Sequence, residues 1–148
     1  MFKFISVTVE TIKIVAEWTY DGFVKSVYVT PYFESIKADK ILKGPDGCDG
    51  FIAYIDGSIA GLLEFYFEDD IMELGIALNP IFIGKGLGKE FIRQGIIFGI
   101  EKYNYNKKFI KLSVNEKNIP AIKAYQKAGF SYYKKNGDIF EMRKEIEY

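Results

Sequence analysis

Residues 79–91 read "NPIFIGKGLGKEF" (Asn79 to Phe91), with glycines at 84, 86 and 88 and lysines at 85 and 89. Phe91, Ile92, Gly95, Ile96, Gly99, Ile100 and Tyr103 follow at i, i+3, i+4 and i+7. That spacing predicts one buried face of a helix running from Gly88 to about Tyr103. The chain therefore gives up side chains at every second position just where a helix begins. A helix start leaves its first N–H groups unpaired and carries a partial positive charge. Glycines let the backbone approach a ligand without Cβ clashes. Together these features predict an anion site, most naturally for phosphate.

Working outward, "IMELGIAL" (71–78) reads as a strand that Pro80 closes. Before it, "FIAYIDGSIAGLLEFYFED" reads as two strands around a tight turn at Gly57-Ser58, with a second turn at Glu68-Asp69-Asp70. "FKFISVT" (2–8) is strand-like, and helical spacing of Val9, Ile12, Val15 and Ala16 predicts a helix to about Trp18. Residues 20–50 read as irregular, with a short helix after Pro31 and a loop at "KGPDGCDG" (43–50). After the glycine-led helix come a strand, "FIKLSVN" (109–115), and a helix from Asn118 to Ala128. A final hairpin is expected around Asn136-Gly137. Gly95 and Gly99 lie on the apolar stripe, where each costs about 1 kcal/mol relative to Ala. Close approach of that helix to a sheet accounts for them.

Composition removes several function classes. The 148 residues include 49% hydrophobic and 17% aromatic side chains, enough to build a core, and are expected to form one domain. No apolar run approaches the ~20 residues of a membrane span, and the N-terminus lacks a signal-peptide pattern, so a cytoplasmic location is expected. Twenty basic residues balance twenty acidic ones, leaving no net field to attract nucleic acid or anionic lipid. Cys48 is the single cysteine and there is no histidine. No intramolecular disulfide, thiolate metal cluster or Ser-His-Asp triad can form, and no metal site is expected. Acid–base chemistry falls to carboxylates, tyrosines, lysines, backbone or water.

Known phosphate-binding loops narrow the reading. The P-loop requires Ser or Thr after Gly-Lys, and Glu90 stands there instead. The dinucleotide fingerprint requires Gly-x-Gly-x-x-Gly after the first strand of a βαβ unit, and neither spacing nor position agrees. "ELGIALNPIFIGKGLGKEFI" (73–92) resembles the acetyl-CoA signature of the GNAT (Gcn5-related) N-acetyltransferases, Gln/Arg-x-x-Gly-x-Gly/Ala between a strand and a long helix. Ile83 stands where that family usually has Gln or Arg. "NEKNIPAIKAYQKAGF" (115–130) resembles the second signature of the same family, Asn-x-x-Ala-x-x-x-Tyr-x-x-x-Gly-Phe. The resemblance covers about residues 50–135. Residues 1–50 match only in layout and in "AEWTY" (16–20).

The resemblance implies an α/β (α+β) fold: a mixed, mostly antiparallel central sheet flanked by helices and splayed between the strands at 71–78 and 109–115. Acetyl-CoA, the acetyl donor, is expected in that split. Ile83, Gly84, Lys85, Gly86, Leu87, Gly88 and Lys89 are then expected around its pyrophosphate. Ile76 and Leu78 are expected to pair their backbone with the pantetheine arm and to aim an N–H at the thioester oxygen. Asn118 is expected to cap the following helix, whose small residues, Ala121 among them, leave room for pantetheine. Tyr125 matches the family tyrosine that donates to the CoA sulfur, the competing role being an aromatic on the helix's core face.

For the general base, Glu73 is the first candidate and Glu64 the alternative, a solvated strand face or a salt bridge being the competing role of both. Glu68, Asp69 and Asp70 read as a polar turn that would otherwise attract a cationic amine. Trp18, Tyr20 and Tyr32 fall in the segment that covers the acceptor pocket in this family, where aromatics serve as core or as ligand contacts. Cys48 lies far from both motifs and is not expected to act as a nucleophile. The expected activity is acetyl transfer from acetyl-CoA to a primary amine by direct attack in a ternary complex. The acceptor is a small-molecule or peptide amine, and the protein a monomer or homodimer. Two alternatives remain open: transfer of another acyl group from its CoA ester, and a CoA-binding module without catalysis.

Overall fold

A computed structural model describes residues 1–22 and 24–148. The strands are β1 (Phe2–Ser6), β2 (Asp49–Ile55), β3 (Ser58–Glu68), β4 (Ile71–Leu78), β5 (Phe109–Asn115), β6 (Ser131–Asn136) and β7 (Ile139–Glu145). The helices are α1 (Val9–Ala16), α2 (Thr30–Asp39), α3 (Gly88–Tyr103) and α4 (Ile119–Lys127). The strands form one seven-stranded sheet in the order β1-β2-β3-β4-β5-β7-β6. Every neighbouring pair is antiparallel except β4 and β5.

Local chemistry sets the element ends. β1 stops two residues before the expected end because Thr8 caps α1: its Oγ1 accepts the Thr11 N–H at 3.1 Å while Thr11 Oγ1 accepts the Thr8 N–H at 2.8 Å. α1 ends at Ala16, short of the expected Trp18, although Trp18 is still buried. The segment read as irregular holds the ten-residue α2, with Pro31 in its first turn and Tyr32 fully buried. Two hairpin turns move by one position. The first is Asp56-Gly57, both at positive φ (48° and 81°), as a type I′ hairpin turn requires. The last is Gly137-Asp138, with Asn136 the final residue of β6.

Strand alternation divides the side chains between two faces. On the back face, under α3 and α4, Phe51, Leu63, Phe65, Met72, Leu74, Phe91, Ile92, Ile96, Ile110, Leu112 and Met142 form the main core. Fully burying each large apolar side chain contributes about 1.5–3 kcal/mol. Gly95 and Gly99 let α3 press onto it: a Cβ on Gly95 would meet Leu63 at 3.0 Å, and one on Gly99 would collide with the Phe65 ring. On the front face, Val7, Ile12, Val15, Trp18, Val29, Tyr32, Ile52 and Leu62 form a second cluster under α1 and α2. Among the described residues, no helix is long and apolar enough to cross a membrane.

Candidate acyl-transfer site

β4 and β5 pair only at Glu73–Lys111 and Leu74–Leu112. Beyond Leu74 the two strands part, so Gly75 to Leu78 pair with β3 alone. The Asn79 N–H donates to the Ala60 carbonyl at 2.7 Å, which fixes the alternation of backbone groups along β4. Residues 75 and 77 therefore direct their N–H and C=O at β3, whereas Ile76 and Leu78 direct theirs into the split. Met72, on the same side, donates its N–H to the Tyr105 hydroxyl at 3.3 Å. The Leu78 carbonyl is already taken, since the Tyr20 hydroxyl donates to it at 2.6 Å. Ile76 keeps both backbone groups free for an extended partner, among the described residues.

A short 3₁₀ turn (Pro80–Phe82) leads from β4 into the glycine loop, with Asn79 accepting the Ile81 N–H at 3.2 Å and donating to the Ile59 carbonyl at 2.8 Å. Gly84 and Gly86 have φ of 78° and 77°, a conformation that L side chains rarely adopt. Gly88 is different. Its φ is not in that region, and a Cβ there would meet nothing within 4 Å, so neither conformation nor packing inside the chain demands a glycine. Among the described residues, the N–H groups of Gly86, Leu87, Gly88, Lys89 and Glu90 have no hydrogen-bond acceptor, and the first helical bond runs from the Phe91 N–H to the Leu87 carbonyl at 2.9 Å. Lys85 and Lys89 are exposed beside them, as is Ile83. Open space, free amides and the positive end of α3 fit an anionic group such as a pyrophosphate.

α4 follows directly after β5, the other strand of the split. Asn118 occupies the N-cap position, but its side chain makes no capping bond, contrary to expectation. Its backbone N–H donates instead to the Asn115 carbonyl at 2.9 Å, and Asn115 Oδ1 accepts from Lys117. Ala121 and Tyr125 pack against the main core, with the Tyr125 ring edge-on to Phe130 at 6.2 Å between centroids. Burial pushes the Tyr125 phenol up to about 12, and its hydroxyl has no hydrogen-bond partner among the described residues. It stays protonated at neutral pH with its donor uncommitted.

The front face carries the carboxylates. Glu73 is half-buried; burial raises its pKa, Lys111 opposes the shift, and Glu141 and Glu68 add to it. The Ser113 hydroxyl lies 3.5 Å from its Oε1. Glu64 is only 8% exposed. Burial raises its pKa too, against the pull of the Tyr32 and Tyr66 hydroxyls, which donate to Oε2 at 2.6 Å and to Oε1 at 3.1 Å. Tyr32 also lies 3.9 Å from the Cys48 sulfur, and burial pushes that buried thiol up to about 12. A groove of about 460 Å³ crosses this face, with Cys48, Asp49, Tyr66, Glu68 and Glu73 in its wall.

The structure thus turns the Ile76 and Leu78 backbones into the split, puts the loop 83–89 just after β4, Glu73 where β4 still pairs with β5, and Tyr125 on α4 against the core. Tyr66 is a neighbour the sequence reading missed. The one available signal was strand alternation, which puts it on the same face as Glu64.

Residues 12–130 match the model of the acetyltransferase (GNAT) family. The chain belongs to that family. A relative from Bacillus subtilis (strain 168), the uncharacterized protein YxbD, is 33% identical over 94 residues, spanning 61% of this chain and 57% of that one. The GNAT domain also resembles solved structures across nearly its whole length. The N-acetyltransferase PseH from Campylobacter jejuni, in complex with acetyl coenzyme A, superposes with a TM-score of 0.74 at 19% identity, covering 99% of this chain and 100% of the other. The spermidine N-acetyltransferase from Vibrio cholerae, in complex with CoA and spermine, gives a TM-score of 0.73 at 17% identity over 97% and 95% of the two chains. These likenesses establish the splayed, mostly antiparallel fold.

Proposed function

We propose that residues 1–148 act as one domain that transfers the acetyl group of acetyl-CoA to a primary amine by direct attack in a ternary complex. One observation carries the reading. The unpaired amides of Gly86 to Glu90 lie just beyond the β4 segment whose Ile76 and Leu78 backbone groups face the split. Pyrophosphate on the first and an extended pantetheine along the second account for both. Family membership supports it, as do structural neighbours whose complexes hold acetyl-CoA, or CoA with spermine.

In this reading Gly84 to Lys89 bind the pyrophosphate, chiefly through backbone N–H groups, with Ile83 at the rim. Ile76 and Leu78 pair with the pantetheine and direct an N–H at the thioester oxygen. Ala121 and Asn118 border the arm from α4. Glu73 takes a proton from the acceptor ammonium. The freed nitrogen lone pair forms the N–C bond to the acetyl carbonyl carbon as the C–S bond breaks and its electron pair leaves on sulfur. The nitrogen, now bonded to carbon, loses its second proton to solvent to become the neutral amide, while Tyr125 gives its hydroxyl proton to the thiolate and recovers one from solvent. No covalent acyl-enzyme is needed, in keeping with a buried, unreactive Cys48.

A screen of small-molecule and peptide amines with thiol detection tests the proposal. Amine-dependent release of CoA thiol is expected, with acetyl-CoA preferred over longer acyl-CoA esters. Release that favours a longer ester would reassign the donor. Tight acetyl-CoA binding with no amine-dependent release would leave a CoA-binding module.

A further inference from the structure

Glu64 is a buried carboxylate that forms no ion pair among the described residues. Hydroxyl groups stand where a cation would normally be found. Its place in the fold is specific. Glu64 pairs in register with Gly75, the first β4 residue past the last β4–β5 pair. A Cβ on Gly75 would lie 3.0 Å from Glu64 Oε1 and 3.1 Å from Cε2 of Tyr66. The missing side chain is thus the space through which both residues reach the start of the split. Tyr66 pairs with Glu73, and both line the front groove.

Above its raised pKa, Glu64 is ionised and only accepts hydrogen bonds. The Tyr66 proton is then committed to Glu64 Oε1 at 3.1 Å, so toward the groove the Tyr66 oxygen offers lone pairs and no donor. We propose that Tyr66 accepts an N–H from the acceptor amine, and that Glu64 is the positioning residue that holds the hydroxyl in that orientation. The inference rests on the amine-transfer reading and sharpens it. An attacking ammonium can give one proton to Glu73 and still donate another N–H to Tyr66 while its lone pair meets the thioester carbon. An alcohol has one hydrogen, which the base consumes, and so leaves the Tyr66 oxygen without a donor. The pair selects nitrogen over oxygen nucleophiles.

The test measures acetyl-CoA turnover by thiol release with butylamine, spermidine and Ala-Ala as acceptor probes. It compares Tyr66→Phe, Glu64→Gln and the double variant with the unaltered protein. Tyr66→Phe is expected to raise the KM of every productive amine at least tenfold, with the acetyl-CoA KM unchanged within about twofold. Glu64→Gln should act in the same direction. The double variant should be no worse than Tyr66→Phe alone, because Glu64 acts through Tyr66; two independent structural roles would instead multiply. Amine kinetics that survive Tyr66→Phe, or losses that multiply in the double variant, overturn the proposal alone. Acetyl-CoA binding without release for any probe overturns it together with the amine-transfer reading.

Discussion

The Tyr20 hydroxyl donates a 2.6 Å hydrogen bond to the carbonyl of Leu78. That carbonyl faces the split between β4 and β5, so the bond ties Tyr20, which follows α1, to the last residue of β4. Tyr20→Phe keeps the ring and leaves the Leu78 carbonyl without this partner. A loss of about 1 kcal/mol in urea unfolding is expected, the usual net value of such a bond. An unchanged midpoint would mean that water replaces the hydroxyl at no cost.

Gly88 separates ligand binding from folding better than its neighbours do. Side chains at Gly84 or Gly86 would strain the backbone, whereas Gly88 has ordinary φ and open space around a Cβ. Gly88→Val should therefore fold with a nearly unchanged melting temperature yet place a branched group where the phosphate approaches. At least tenfold weaker acetyl-CoA binding in calorimetry is expected. Full affinity in the folded variant would remove the phosphate from this loop.

Tyr125→Phe separates packing from proton transfer. The ring remains against Phe130 while the uncommitted hydroxyl is lost. Turnover should fall roughly ten- to a thousandfold, around the range of general acid catalysis. Acetyl-CoA affinity should hold. The loss should shrink for a thioester whose leaving thiol has a lower pKa, because that thiolate needs less help. Equal losses for good and poor leaving groups would count against the acid role.

Glu64 makes stability depend on pH. Its pKa is raised in the folded chain, chiefly by burial, so it keeps a proton that the unfolded chain has already released. Its stabilising contribution is complete below the ordinary value of 4.5 and is lost as pH rises through the folded value. Glu64→Gln removes this titration. The stability of the variant relative to the unaltered protein should climb with pH above 4.5 and level off once Glu64 ionises in the folded state. Urea unfolding from about pH 4 to pH 8 measures the difference; a flat profile would mean that Glu64 titrates alike in both states.

The legible parts of this chain are those written in short-range pattern. Glycines at 84, 86 and 88 before a 3.6-residue stripe announced both the loop and α3, and alternation announced β3 and β4. α2 was hard to size because no side chain caps its start and its one fully buried residue is Tyr32. The turn shift at Asp56-Gly57 reflects a positive-φ requirement that Asp meets as well as Gly or Asn, whereas at Gly137-Asp138 only the glycine is at positive φ. Tyr20 on Leu78 and Tyr32 on Glu64 join residues far apart in sequence, and no local signal marks such pairs. Glu64 itself read as a strand glutamate open to either solvent or catalysis. Its burial follows from Gly75 on the next strand and α2 above it, which only the folded arrangement brings together.

Cys48 has a practical consequence. The thiol is 4% exposed, its pKa is pushed up to about 12, and it is the only cysteine in the chain. Thiolate is the form that alkylating reagents attack, so the native protein should be nearly silent toward them, while any opening that bares this corner exposes one ordinary thiol. The protein carries its own single-site reporter: the rate of labelling at Cys48 counts excursions from the native state, without an added probe or an engineered residue.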